Sequence, residues 1–284
     1  MGEHAKRLAR FISKGHEFCA YCGGTRRAES IDHVPPTAFF RDKYRPPIFE
    51  TPACRTCHEP FSSLDALFSL YAKLSLSEGN GDREEKHLNN LISSAARKFP
   101  DLVFSLATRA KDGHVKKNGI VIPAVIVAPV PTELVLAIAF MAARTTAALY
   151  YHKIGSPIPV GAAIHTFSFS ASQMASKDFN SKIIFGLPEY GTVQQGKVEF
   201  SSQFEFRYLI DEGTRGFYAG FNFKRAFSAW GFIDTSLPDR PTDKMTFSVT
   251  SKGLRPANLD VFRLWQARGI FDKAEEHATQ RGEN

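Results

Sequence analysis

Four cysteines carry the most explicit chemistry in this chain. They stand as two C-x-x-C pairs, Cys19/Cys22 and Cys54/Cys57, thirty-one residues apart, and the other positions of the 284-residue sequence hold none. Each pair can turn two thiolates from one tight knuckle onto a single ion, and two knuckles complete a tetrahedron, which suits Zn²⁺. Gly23 and Gly24 follow the first knuckle, where positive φ is often required. In an intracellular chain such pairs favour a metal over disulfides. A site closed by four thiolates has no open coordination position, so this zinc is expected to fold the segment rather than to react. Close to the knuckles lie SIDHVPPTAFF at 30–40 and CRTCH at 54–58, which supply Asp32, His33 and His58. A neutral imidazole accepts a proton near neutral pH. A carboxylate with one imidazole can hold a divalent cation and leave positions open for phosphate oxygens and water.

The order of these motifs resembles the HNH endonuclease module, the ββα-metal type with zinc knuckles: C-x-x-C, an Asp-His ahead of valine and proline, then C-x-x-C with histidine directly after. More narrowly, DHVPPTAFF, FETPACRTCH and SSLDALF are similar to a widespread bacterial group of HNH-like proteins in which an Asp-bearing helix follows the second knuckle. The similarity spans about residues 16–70 and extends more loosely to ALYYHKIGSPIP at 149–159. It implies that His33 is a general base activating water, and that Asp32 and His58 hold a catalytic Mg²⁺ or Mn²⁺ beside the scissile phosphate. It also implies a metal-dependent nuclease hydrolysing phosphodiester bonds, most naturally in DNA. The chain departs from the pattern where an Asn usually precedes the second knuckle; positions 48–52 read IFETP, with Glu50 and Thr51 as the polar residues. The alternative is therefore a non-catalytic, zinc-stabilised nucleic-acid-binding or adaptor protein. Geometry separates the two: a nuclease needs Asp32 and His58 to converge and His33 to face the same cleft.

Charge points toward a polyanion. The formal net charge is +7 and the sequence pI about 9.2, a balance that suits phosphate contacts. Lys6, Arg7, Arg10 and Lys14 cluster at the amino terminus against Glu3, and Arg26, Arg27, Arg41, Lys43, Arg45 and Arg55 surround the knuckles. The strands near 198–232 interleave aromatics with Arg207, Arg215, Lys224 and Arg225. They read either as a stacking surface or, more simply, as a sheet with phenylalanines inside and cations outside. His87, His114, His152 and His165 have no matching partners in sequence, while His4 and His16 lie near the module.

These groups need elements to position them. Composition, 43% hydrophobic and 12% aromatic, supports a packed core and excludes a disordered chain. An α+β protein in two parts is expected: an N-terminal zinc-stapled HNH-like ββα module over 1–75, and an α+β domain of helices and antiparallel sheet over 76–284. A basic helix is expected over 3–14. A second, from Phe61 to Leu76, has Ser62 or Ser63 as cap. Further helices are expected over 83–98, ended by Pro100, over 132–152, and over 259–277. Residues 113–130 read as one strand or two short ones, and 163–250 mainly as strands with period two. The apolar stretch Glu133–Tyr151 contains Arg144 and suits a buried helix better than a membrane span. With no signal-peptide pattern at the start, a cytoplasmic protein without membrane contact is expected. The larger part is the candidate for self-association.

Overall fold

The computed structural model describes residues 3–40, 50–74, 82–117, 120–127, 130–170, 189–192, 194–195, 198–199, 204–211, 216–223, 227–235 and 245–267. It is an α+β protein, as expected, with helices packed on one face of an antiparallel sheet.

The N-terminal part begins with helix α1 (Glu3–Ile12), which presents Leu8, Phe11 and Ile12 on one side and exposed Lys6, Arg7 and Arg10 on the other. After the first knuckle, β1 (Ser30–His33) pairs antiparallel with β2 (Glu50–Ala53), in a register that sets Asp32 beside Thr51 and His33 beside Glu50. Helix α2 (Arg55–Leu74) follows at once. It starts six residues before the expected Phe61, so neither Ser62 nor Ser63 caps it. The second knuckle is itself the first turn, with the amides of Cys57 and His58 bonded to the Cys54 carbonyl. Pro60 falls inside the helix and hid the continuity of the pattern.

Helix α3 (Asp82–Lys98) and α4 (Pro100–Arg109) extend this layer. Pro100 was expected to end a helix; it also opens the next one, since proline at the first helical position lacks only an amide that would have no partner there. A hairpin of β3 (Ala110–Lys117) and β4 (Ile120–Val127) comes next, two strands rather than one.

The centre of the molecule is α5 (Thr132–Ile154). It is buried almost all round because it is sandwiched: α2 and β2 lie on one side, and the strands Ala163–Ser170, Gly216–Phe223 and Phe227–Asp234 on the other. Small residues, Ala137, Ala139, Ala142, Ala143, Ala147 and Ala148, allow that close approach. Gly155 ends it in the left-handed conformation, φ 80°, with its amide on the Tyr151 carbonyl. By length and composition α5 could cross a membrane, but 89% of its apolar window is buried inside the fold, the packing of a core helix.

Seven antiparallel strands form the sheet, in the order β13-β12-β5-β11-β10-β9-β6. They are β5 (Ala163–Ser170), β6 (Glu189–Thr192), β9 (Glu205–Asp211), β10 (Gly216–Phe223), β11 (Phe227–Asp234), β12 (Thr246–Thr250) and β13 (Gly253–Pro256). Two short strands, β7 (Gln194–Gln195) and β8 (Val198–Glu199), pair separately, and α6 (Leu259–Ala267) packs against β13. The expected last helix is present over this range; its extension to 277 lies outside the described residues. Alternation along β10 buries Phe217, Ala219, Phe221 and Phe223, while Tyr218 and Asn222 face the other way. A single buried cluster runs from the cysteines through α2 and α5 to the sheet.

Candidate metal centre

The sulfur atoms of Cys19, Cys22, Cys54 and Cys57 lie within 4.8 Å of one another, and all four residues are buried. This is the sole group of three or more potential ligands of this kind among the described residues, and its four soft donors suit a thiophilic ion such as zinc. Gly23 and Gly24 close the first knuckle at φ 65° and 72°. The Cys19 amide bonds to the Arg26 carbonyl, and the Tyr21 amide lies 3.4 Å from the Cys19 sulfur.

The rest of the protein presses on the centre. Gly253, at the β12–β13 turn, has φ 105°, and a Cβ there would lie 2.6 Å from the Cys57 sulfur. The Thr25 hydroxyl is 2.9 Å from the Cys22 carbonyl and 3.2 Å from that of Ser251 in the same turn. A Cβ on Gly23 would meet the backbone nitrogen of Val160 at 2.9 Å.

Beside the cysteines is a buried ion cluster centred on Arg144 of α5. Its Nε donates to Asp32 Oδ2 at 2.8 Å, its Nη2 to Asp32 Oδ1, and its Nη1 to Asp65 Oδ1. Nη2 also reaches the His33 carbonyl at 3.3 Å, and the Phe61 ring lies 4.4 Å below the guanidinium. The Tyr21 hydroxyl donates to Asp32 Oδ2 at 2.7 Å. Both Asp32 and Arg144 side chains are only 1% exposed. Burial alone would raise the Asp32 pKa, but Arg144, His58 and Tyr21 outweigh it and hold the carboxyl below its ordinary value. Asp65 is raised to about 6: burial and neighbouring Asp32 push it up, and Arg144 offsets them only in part. Arg144 is held firmly charged, its two carboxylates overcoming the effect of burial.

The structure brings Asp32 and His58 together as the motif implies. His58 Nε2 stands 3.5 Å from Asp32 Oδ1, and its Nδ1 is 3.1 Å from the Ser30 hydroxyl. The strand pleat treats His33 differently. It shares its side of the hairpin with Glu50, 4.0 Å away, while Asp32 and Thr51 share the opposite side. Arg7 of α1 pairs with Glu50 and so pins the basic helix over the His33 side. Each Asp32 oxygen has two partners, Tyr21 and Arg144 on one, Arg144 and His58 on the other. The divalent cation that the sequence motif implies therefore does not fit Asp32 in this arrangement.

Sequence reasoning missed Arg144 and Tyr21 as site residues, noted Glu50 only as a polar residue, with Thr51, where the Asn of the pattern is missing, and treated Asp65 only as a mark of the helix. One signal was available: an arginine in an otherwise apolar helix of this length needs a buried carboxylate partner. His152, read as a lone histidine, lies 3.4 Å from the Thr51 hydroxyl, and His16 Nδ1 lies 2.8 Å from the Tyr151 hydroxyl. Both contacts tie the end of α5 to the N-terminal part. Arg41, Lys43, Arg45, Arg215, Lys224 and Arg225 lie outside the described residues. Compared with models of known protein families, curated proteins and solved structures, the chain matches none.

Proposed function

We propose that the chain is a zinc-stapled, HNH-like nucleic-acid-binding protein that does not hydrolyse its ligand. Arg144 carries this reading. Its guanidinium stands where a catalytic cation would need to be, chelating Asp32 through two nitrogens and joining it to Asp65. Both Asp32 oxygens already have partners in Arg144 and Tyr21 or His58, so a divalent ion would have to displace the guanidinium to take Asp32 as a ligand. The four cysteines hold Zn²⁺, which fixes the hairpin against α2. Exposed Lys6, Arg10 and Lys14, with Arg26, Arg27 and Arg55 around the knuckles, supply the phosphate contacts, and the net charge of +7 agrees with such a partner.

Fluorescence anisotropy with labelled duplex DNA, single-stranded DNA and RNA, over a salt series in EDTA and again in Mg²⁺, tests the reading. Binding is expected with a steep salt dependence and intact ligand after incubation. Lys6→Glu with Arg10→Glu is expected to lower the salt slope by about one for each contact removed. Absence of binding at low salt sinks the proposal.

The metal-dependent nuclease is the second reading, with His33 as base and Asp32 and His58 on Mg²⁺ or Mn²⁺. The 3.5 Å approach of His58 to Asp32 favours it. It requires Arg144 to release Asp32 and His33 to turn toward the same cleft. Metal-dependent cleavage of plasmid by the native protein, lost in His33→Ala with zinc content preserved, replaces the first reading with this one.

A further inference from the structure

Three oxygen-bearing groups converge on one position, and that position already holds a positive charge. Asp32 comes from β1 and Asp65 from α2, the His33 carbonyl lies at the end of β1, and His58 Nε2 stands 3.5 Å from Asp32 Oδ1. The two carboxylates and the carbonyl offer hard oxygen, the donor chosen by Mg²⁺ or Mn²⁺ and not by a soft ion, and the His58 imidazole stands beside Asp32. What occupies the centre is the Arg144 guanidinium, whose four hydrogen bonds here go to just those oxygens.

We infer that Arg144 is the resident cation of this site: its guanidinium replaces a divalent metal in binding β1 to α2, and it closes the centre to metal as long as its charge is there. The inference rests on the non-hydrolytic reading above and deepens it by naming what holds the cation position. It also gives Asp65 a role as the second carboxylate. A planar guanidinium satisfies the two oxygens of Asp32 and one of Asp65 in fixed directions and stacks on Phe61, which a metal ion could not do. The exchange places the charge in a centre where the side chains of Asp32 and Arg144 are each 1% exposed. Removal of the positive charge leaves two carboxylates facing each other in a buried site, and a divalent ion is the species that can neutralise both.

The experiment uses the full-length, zinc-loaded protein and Mn²⁺ alone as probe, which does not compete with zinc for four thiolates. Thermal unfolding and the electron paramagnetic resonance signal of free Mn²⁺ are followed together. For the native protein, no change in Tm and no Mn²⁺ uptake are expected. Arg144→Met is expected to have a lowered Tm that Mn²⁺ raises by about 5–10 °C when the ion stands at about a hundred times its Kd. Arg144→Lys keeps the charge and is expected not to respond. The triple variant Arg144→Met, Asp32→Asn, Asp65→Asn has no carboxylates to neutralise and is also expected not to respond. The inference is overturned if the native protein takes up Mn²⁺ as well as Arg144→Met does. It is equally overturned if Arg144→Met gains nothing from Mn²⁺, whether it is folded or fails to fold in either condition. Nucleic-acid retention by the native protein is read separately, so failure of the functional reading and failure of this inference are distinguishable.

Discussion

Tyr21 connects the cysteine centre to the ion cluster. Its amide reaches the Cys19 sulfur and its hydroxyl reaches Asp32, both from the middle of the first knuckle. A hydrogen bond to a buried charged group contributes about 1.5–3 kcal/mol, so Tyr21→Phe is expected to lower unfolding free energy by that amount in urea titration. An unchanged midpoint would show that Arg144 alone orients Asp32. Asp65 sets a different test. Its folded pKa of about 6 lies above its ordinary 3.8, so the folded chain retains a proton that the unfolded chain has lost. Stability therefore falls as pH rises from about 4 to about 6, the opposite of Asp32, whose contribution is present above its ordinary pKa and is lost on acidification. Asp65→Asn is expected to remove a decline of about 1–2 kcal/mol across that window, after allowance for the 21% exposure of the side chain. Urea unfolding of both proteins at a series of pH values checks this, and parallel curves would refute it. Cysteine spacing and the Asp-His pair were legible in sequence because both depend on short, fixed intervals. Arg144 was not, because its partners lie 112 and 79 residues away and its neighbours in sequence include no carboxylate.

At the scale of elements, periodicity located α1, α3 and α5 closely, while both corrections arose at prolines. Pro60 concealed the first turns of α2, and Pro100 stands at the start of α4 instead of marking only the end of α3. The aromatic strands resolve into two faces. Phe206, Phe217, Phe221, Phe223 and Phe227 point into the core, whereas Tyr218, Trp230 and Phe232 lie on the opposite face, where Tyr218 stacks on Phe232. The inward reading thus accounts for five of these phenylalanines but not for Phe232, and Arg207 is aligned with the outward set. Tertiary contact, invisible in sequence, fixes Gly231. An added Cβ there would overlap the Thr146 side chain of α5, so this glycine sets how closely helix and sheet approach. Gly231→Ala is expected to destabilise the protein by about 1–3 kcal/mol through overpacking, measured by urea unfolding. Recovery by a second change, Thr146→Ala, is expected to be substantial, and a failure to recover would place the strain elsewhere.

For the whole molecule, the contacts at Gly253, Thr25 and Gly23 make the four-cysteine centre part of the sheet's own support. Metal binding in small zinc modules supplies on the order of 10–16 kcal/mol, more than the total stability of most domains. Removal of the ion by a chelator is therefore expected to unfold the sheet along with the knuckles. Trp230 of β11 provides a fluorescence signal remote from the cysteines, and far-ultraviolet circular dichroism follows the strands. Loss of both in one transition is expected; a sheet signal that survives chelation would establish the N-terminal part as an independent unit. Sequence composition could locate the centre but not this dependence, because the covering residues Gly253 and Val160 belong to turns with no metal-binding pattern of their own.

Asp32 and its counter-ion are separated by 112 residues of chain, and synthesis runs from the amino terminus. The knuckles, the hairpin and α2, with both carboxylates, leave the ribosome well before α5 is made. During that interval the nascent segment carries Asp32 and Asp65 without the counter-ion that the finished fold gives them. Only the later arrival of one helix supplies that charge, so the order of translation is also the order in which the two acids gain their partner.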